Sequence, residues 1–124
     1  MKFSILISSF NKGKYIEKCI TSCLQQKEKD CEIIVFDNYS TDNTLKILKK
    51  FGKKIRLFKK KRLSNSPALN QIDLLKSGFQ KSRGEYVCLL DADDYFRANK
   101  LFKIKKYFLR KKNVSAIFDL PIKK

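Results

Sequence analysis

Tyr86-Val87-Cys88-Leu89-Leu90-Asp91-Ala92-Asp93-Asp94 is the stretch from which the rest of the chain can be read. Five strand-forming residues run straight into three carboxylates within four positions. A continuous apolar run of this length suits a strand covered on both faces, as in a parallel sheet. The carboxylates repel one another, and burial would raise their pKa values. A divalent cation resolves that conflict, because carboxylate oxygens suit Mg²⁺ or Mn²⁺, and Mg²⁺ is commonly held by one or two carboxylates plus substrate phosphates. The plain alternative is a helix N-cap or a solvated loop, since Asp caps helices well.

Working back toward the N-terminus, the same alternation of short apolar runs and helical periodicity recurs. Residues 2–9 read as a buried first strand, followed by a helix over 12–26 with Asn11 as its N-cap. Tyr15, Ile16, Cys19, Ile20, Cys23 and Leu24 form the inward face of that helix, and 25–30 is a polar connector. Residues 31–36 are a second strand and 37–40 a loop. A helix opening at 41–44 carries Leu45, Ile47, Leu48 and Phe51 and closes on Gly52 in the left-handed conformation. A short edge strand over 55–58 is flanked by lysines, and 59–67 is an irregular loop. The spacing predicts a third helix over 68–81, with Leu69, Ile72, Leu75 and Phe79 inward. Gly84 turns the chain into the strand over 85–90. A fourth helix over 99–111 buries Leu101, Ile104 and Phe108 and turns Lys103, Lys105, Lys106 and Arg110 outward, and residues 114–118 read as a fifth strand.

Strands separated by helices imply a three-layer α/β/α fold with a mainly parallel sheet and right-handed crossovers. Ligands bind such sheets beyond the carboxyl ends of the strands, where the strand order reverses. Three polar clusters fall there: 8–11, 37–40 and 91–94. With the first and fourth strands as neighbours, the reversal lies between them.

Composition narrows the chemistry. The 124 residues make one domain, and the net charge of +17 implies attraction to anions. The absence of His excludes His-based metal sites and His general bases. Cysteines at 19, 23, 31 and 88 form no C-x-x-C pair and fit buried thiols in a reducing cytosol. The chain opens on a strand-like run, so no signal peptide is expected, and no apolar stretch approaches 18 residues. G-x-G-x-x-G and G-x-x-x-x-G-K-[ST] are both missing. A diphosphate would therefore be met by an Asp-bound ion, helped by basic side chains such as those at 59–62.

Three blocks carry a resemblance. They are Ile5-Leu6-Ile7-Ser8-Ser9-Phe10-Asn11 with Tyr15-Ile16; Glu32-Ile33-Ile34-Val35-Phe36-Asp37-Asn38-Tyr39-Ser40-Thr41-Asp42-Asn43-Thr44; and Arg83-Gly84-Glu85-Tyr86 with Leu89-Leu90-Asp91-Ala92-Asp93-Asp94. In this order and spacing, across nearly the whole chain, they resemble family 2 glycosyltransferases. The resemblance implies the Rossmann-like A-type glycosyltransferase fold and transfer of a sugar from a nucleoside diphosphate to an acceptor hydroxyl, usually with inversion. It places Ser8, Phe10 and Asn11 at the nucleotide base and ribose, and Asp37 and Asn38 at the base. Asp91 falls at the ribose or the metal shell, and Asp93 on the Mg²⁺ or Mn²⁺. The implied partners are a UDP- or GDP-type sugar and a glycan or lipid-linked glycan acceptor, in cell-surface polysaccharide or glycolipid synthesis. Cysteine usage points to the cytoplasm, and the basic face of the fourth helix reads first as a solvated surface, with peripheral contact at the anionic inner face of a membrane as the alternative.

The departures are specific. Ser8 stands where the family has Pro, Tyr39 replaces a frequent Gly, and the usual Asn near Lys76 is missing. Asn38 replaces a common Asp, and an amide can donate where a carboxylate only accepts. The family's acceptor half and its general base are not recognisable, so no catalytic residue is assigned, and Asp119 is a poor candidate. The expectation is a truncated, donor-binding half that transfers sugar poorly alone. Rival readings are a basic nucleic-acid-binding module, favoured by the charge but opposed by the acidic knot, and an inactive donor-binding remnant. A phosphoacceptor signalling domain would need an Asp after the third strand, where Phe58-Lys59 stand.

Overall fold

The computed structural model describes residues 2–117. Its elements are β1 (Phe3–Ser9), α1 (Ile16–Leu24), β2 (Cys31–Asp37), α2 (Thr44–Lys50), a single 3₁₀ turn (Gly52–Lys54), β3 (Arg56–Lys59), α3 (Pro67–Lys81), β4 (Tyr86–Asp91) and α4 (Lys100–Arg110). The strands form one parallel sheet in the order β3-β2-β1-β4. The chain steps outward from β1 to β3 and then returns past β1 to lay down β4. The strand order therefore reverses between β1 and β4, the expected position for a ligand crevice.

Each face of the sheet has its own core, because successive strand residues point to opposite sides. Ile5, Ile7, Ile33 and Val35 pack with Ile16, Ile20, Cys19 and Cys23 of α1, Leu48 of α2 and Leu101 of α4. Leu6, Ile34 and Phe36 pack on the other face against Leu74 of α3. The α/β/α layering follows. All four cysteines are free thiols, and burial pushes that of Cys88 up to about 11.

Several expectations are corrected. The first helix spans Ile16–Leu24 and not 12–26, because residues 12–15 form a turn in which Lys12 O accepts from the Tyr15 and Ile16 N–H groups. Asn11 is not its N-cap; Tyr15 holds that position without a side-chain bond. The connector after α1 is not uniformly polar surface, since Gln26 is completely buried. Its amide donates to Ser22 O and Arg97 O and accepts from the Leu101 N–H, joining α1 to the start of α4. Gly52 does adopt the left-handed conformation, with φ +55.

The inward stripe of α3 is the largest revision. Leu74 and Gly78 face the sheet, while Leu69, Ile72 and Phe79 are exposed. Gly78 sits so close to the sheet that a Cβ there would lie 2.2 Å from Leu6 Cδ1. In α4, Leu101 is buried, and Lys105 bonds to Glu28 and does not simply face solvent. Residues 114–117 carry no strand, and the end of the expected fifth strand, with Asp119, lies outside the described residues.

Candidate functional site

The parallel register brings the three polar clusters to one edge. Ser8 of β1 lies opposite Asp91 of β4, and Ser9 opposite Asp37 of β2. Asp37 and Asp91 are thus two strand spacings apart, about 10 Å.

The Asp37 carboxylate is fully buried. It accepts from the Ser40 N–H at 2.8 Å and from the Ser40 hydroxyl at 2.6 Å. This clamp shapes the loop after β2 and holds Tyr39 at φ +55, a conformation costly for a side chain with a Cβ. Asn38 donates its backbone N–H to Ser9 O and its side-chain amide to Lys60 O, both at 2.9 Å. The side-chain bond requires a donor, which an Asp would lack at neutral pH.

Asn11, at φ +50, serves as a clasp between loops. Its side-chain oxygen accepts from the Thr41 N–H at 2.8 Å and the Asp42 N–H at 3.3 Å, and its own N–H donates to Ser40 Oγ. Asp42 completes the clasp by accepting from the Gly13 and Thr44 N–H groups and from the Thr44 hydroxyl. The Thr44 hydroxyl holds the Asp42 carboxyl below its usual range, with the Thr44 and Gly13 N–H groups adding to the effect. Asn11 is thereby committed to architecture through its oxygen, whereas Phe10 remains 39% exposed at the rim.

On the β4 side, Ala92 is buried and its neighbours Asp91 and Asp93 are exposed. A small residue tucked between two acids turns both carboxylates outward. Asp94 N–H donates to Asp91 O, closing the turn, and the Asp94 carboxylate accepts from the Tyr95 N–H at 2.8 Å. Lys12 Nζ lies 3.5 Å from Asp93 Oδ2 across the cleft. The turn is braced from behind by the Cys19 thiol on Asp91 O, the Ser22 hydroxyl on the Phe96 N–H, and Gln26.

Among the described residues, no group of three or more His, Cys, Asp or Glu could hold a metal ion. The two carboxylates of Asp91 and Asp93 form a partial oxygen donor set of the kind that substrate phosphates complete. The sequence reading passed over Lys12 and Gln26, and it took Ser40 and Arg62 only as members of the clusters at 37–40 and 59–62; the Arg62 guanidinium lies 5.0 Å from the Phe10 ring centroid. Nothing in their local sequence distinguished them. Ser9 was also passed over, and its hydroxyl is buried without a hydrogen-bond partner among the described residues.

The family model described as glycosyl transferase family 2 matches residues 4–123. An uncharacterized glycosyltransferase of Nostoc sp. is 32% identical over 126 residues, covering 98% of this chain and 37% of the relative. The crystal structure of S. aureus TarS 1–349 in complex with UDP-GlcNAc superimposes with a TM-score of 0.72 at 30% identity, covering 90% of this chain and 32% of that one. A mannosyltransferase from Pyrobaculum calidifontis, solved in complex with GDP-Man and Mn²⁺, shares the fold with a TM-score of 0.70 at 19% identity, covering 86% of this chain and 32% of its own. The chain thus spans about a third of the length of these proteins.

Proposed function

The chain belongs to glycosyl transferase family 2, and from that premise we propose that it holds the nucleoside diphosphate of a sugar donor, with Mg²⁺ or Mn²⁺, over the carboxyl ends of β1, β2 and β4. The observation that carries this reading is the pair of exposed carboxylates, Asp91 and Asp93, around buried Ala92 where the strand order reverses. The UDP-GlcNAc complex of TarS, at 30% identity, supports a nucleotide sugar as the ligand class.

The donor set fits a hard divalent cation, and Asp93 with Asp91 would hold it. When bound, such an ion would supply Lewis-acid neutralisation of diphosphate charge. The remaining work falls to the chain's own residues. Phe10 offers an apolar surface at the rim for the nucleoside, Asp37 and Ser40 fix the loop beside the base, and Asn38 holds the following strand end in place. The complete reaction is displacement at the anomeric carbon by an acceptor hydroxyl of a glycan or lipid-linked glycan. It needs a general base within about 3 Å of that hydroxyl, directly or through one water.

Calorimetric titration with UDP and GDP, with and without Mn²⁺, tests the reading. Binding should require the metal, and Asp93→Ala should weaken it by at least about ten-fold, the loss of one charged ligand. Metal-independent binding that survives Asp93→Ala would overturn it.

A second reading concerns location. Phe102, Tyr107 and Leu109 are exposed on α4 beside Lys103, Lys106 and Arg110. Apolar side chains amid basic ones suit an anionic membrane surface, where each basic residue contributes about 1 kcal/mol. No helix among the described residues is long and apolar enough to cross a membrane. Liposome flotation should recover the protein with anionic vesicles and not with neutral ones, and equal recovery would reject the contact.

A further inference from the structure

Lys59 to Arg62 carry four consecutive positive charges from the end of β3 toward the site, and the structure gives them different jobs. Lys60 is occupied: its ammonium lies 3.0 Å from Asp73 Oδ2 and bonds the Ser77 hydroxyl, both on α3. Its main chain is pinned to the end of β2, with its N–H donating to Asp37 O and its carbonyl accepting from the Asn38 amide. These bonds fix the path of the chain two residues before Arg62. The Arg62 guanidinium then reaches across the strand ends to lie over Phe10, 5.0 Å from the ring centroid. Phe10 is the first residue past β1, between the buried acid at 37 and the exposed acids at 91 and 93.

A guanidinium over an aromatic face keeps its N–H groups at its edges, where they match the oxygens of a phosphate. Among the described residues Arg62 has no carboxylate partner, whereas the other cation at this rim, Lys12, stands against Asp93. A diphosphate entering a rim lined by Asp91 and Asp93 needs an opposing cation beyond any metal ion. We infer that Arg62, docked on Phe10, is the positioning residue for the donor's diphosphate. The inference rests on the donor-site reading and adds the group that holds the phosphates from the β3 side.

The test uses the full chain with Mn²⁺ and whichever of UDP or GDP binds wild type more tightly, with the corresponding free nucleoside as competitor. Thermal melts confirm that each variant folds. Arg62→Ala should weaken nucleoside diphosphate binding about ten-fold, the scale of one charge-assisted contact, and leave nucleoside binding within two-fold, a margin of about 0.4 kcal/mol. Arg62→Lys should recover part of the loss. Lys53→Ala, which removes the same charge from the exposed turn before β3, should stay near wild type. Equal losses in Arg62→Ala and Lys53→Ala would reduce the effect to general charge and overturn the inference. Equal losses for nucleoside and diphosphate, or no loss, would overturn it while leaving the donor site standing. Failure of wild type to bind either nucleotide would remove the donor-site reading and this inference together.

Discussion

Asn38 shows how a single atom decides a role at the residue scale. Its amide donates to Lys60 O, so Asn38→Asp exchanges a hydrogen bond for two facing acceptors. Urea unfolding should show a loss of about 1–3 kcal/mol, the cost of an unmet carbonyl plus repulsion. An unchanged midpoint would mean the tether contributes nothing. Glu32 makes the comparable case at the opposite end of the sheet. Burial there would raise its pKa, but the Ser4 hydroxyl, the Arg83 N–H and the Arg56 guanidinium together hold the carboxyl below the usual 4.5. A depressed folded-state pKa gives stability that is complete above the unfolded value and lost as pH falls through the folded one. Wild type should therefore exceed Glu32→Gln by about 2 kcal/mol at pH 7, with the gap closing below pH 4.5. A gap that persists unchanged at pH 3 would contradict the assignment. The acids at 37, 91 and 93 were legible in the sequence because carboxylates directly after apolar strands stand out. Lys12 and Gln26 were not, and Arg62 was legible only as part of the basic run at 59–62, because each acts through a partner more than 50 residues away in sequence. One lysine among 29 basic residues carries no local mark of such a contact.

At the scale of elements, strands were easier to read than helix faces. The apolar runs of β1, β2 and β4 marked them as buried strands, while their pairing came only from the structure, and residues 114–117 carry no strand. In α3, large apolar residues at helical spacing suggested a stripe through Leu69, Ile72 and Phe79, yet Leu74 and Gly78 make the contact. Periodicity counts apolar size, while close packing here is achieved by having no side chain at all. Gly78→Ala would set a Cβ 2.2 Å from Leu6 Cδ1, and Leu6 is itself buried. Overpacking of this kind costs about 1–3 kcal/mol. The higher helix propensity of Ala offsets about 1 kcal/mol of that. Net destabilisation of up to about 2 kcal/mol is expected in chemical unfolding, and a stabilised variant would mean α3 lies further from the sheet. Gln26 was hidden for a related reason: a polar residue in a polar connector gives no hint of complete burial.

For the whole molecule, placement of the acids sets what 124 residues can do. Glu28 and Asp73 are bonded to Lys105 and Lys60, Glu32 lies at the start of β2, Asp42 is in the loop clasp, and Glu17 is exposed on α1. Asp42, the one of these near the strand ends, is committed to the Gly13 and Thr44 N–H groups, and the others lie elsewhere. With no base for the acceptor among these five described acids, the 124-residue polypeptide incubated with labelled donor and mixed glycan and lipid acceptors should transfer sugar slowly or not at all, since loss of a general base costs about 10²–10⁴ in rate. Robust multiple turnover would show that a base lies among these residues. A metal-assisted donor site at the strand-order reversal would show itself in paramagnetic broadening of backbone amide signals. The net charge of +17 works against scattered cation binding, so low Mn²⁺ with UDP or GDP should report a specific site. Amides of residues 8–11, 37–40 and 91–94 should broaden together, and Asp93→Ala should abolish the effect. Broadening centred elsewhere, or unchanged in Asp93→Ala, would contradict such a site.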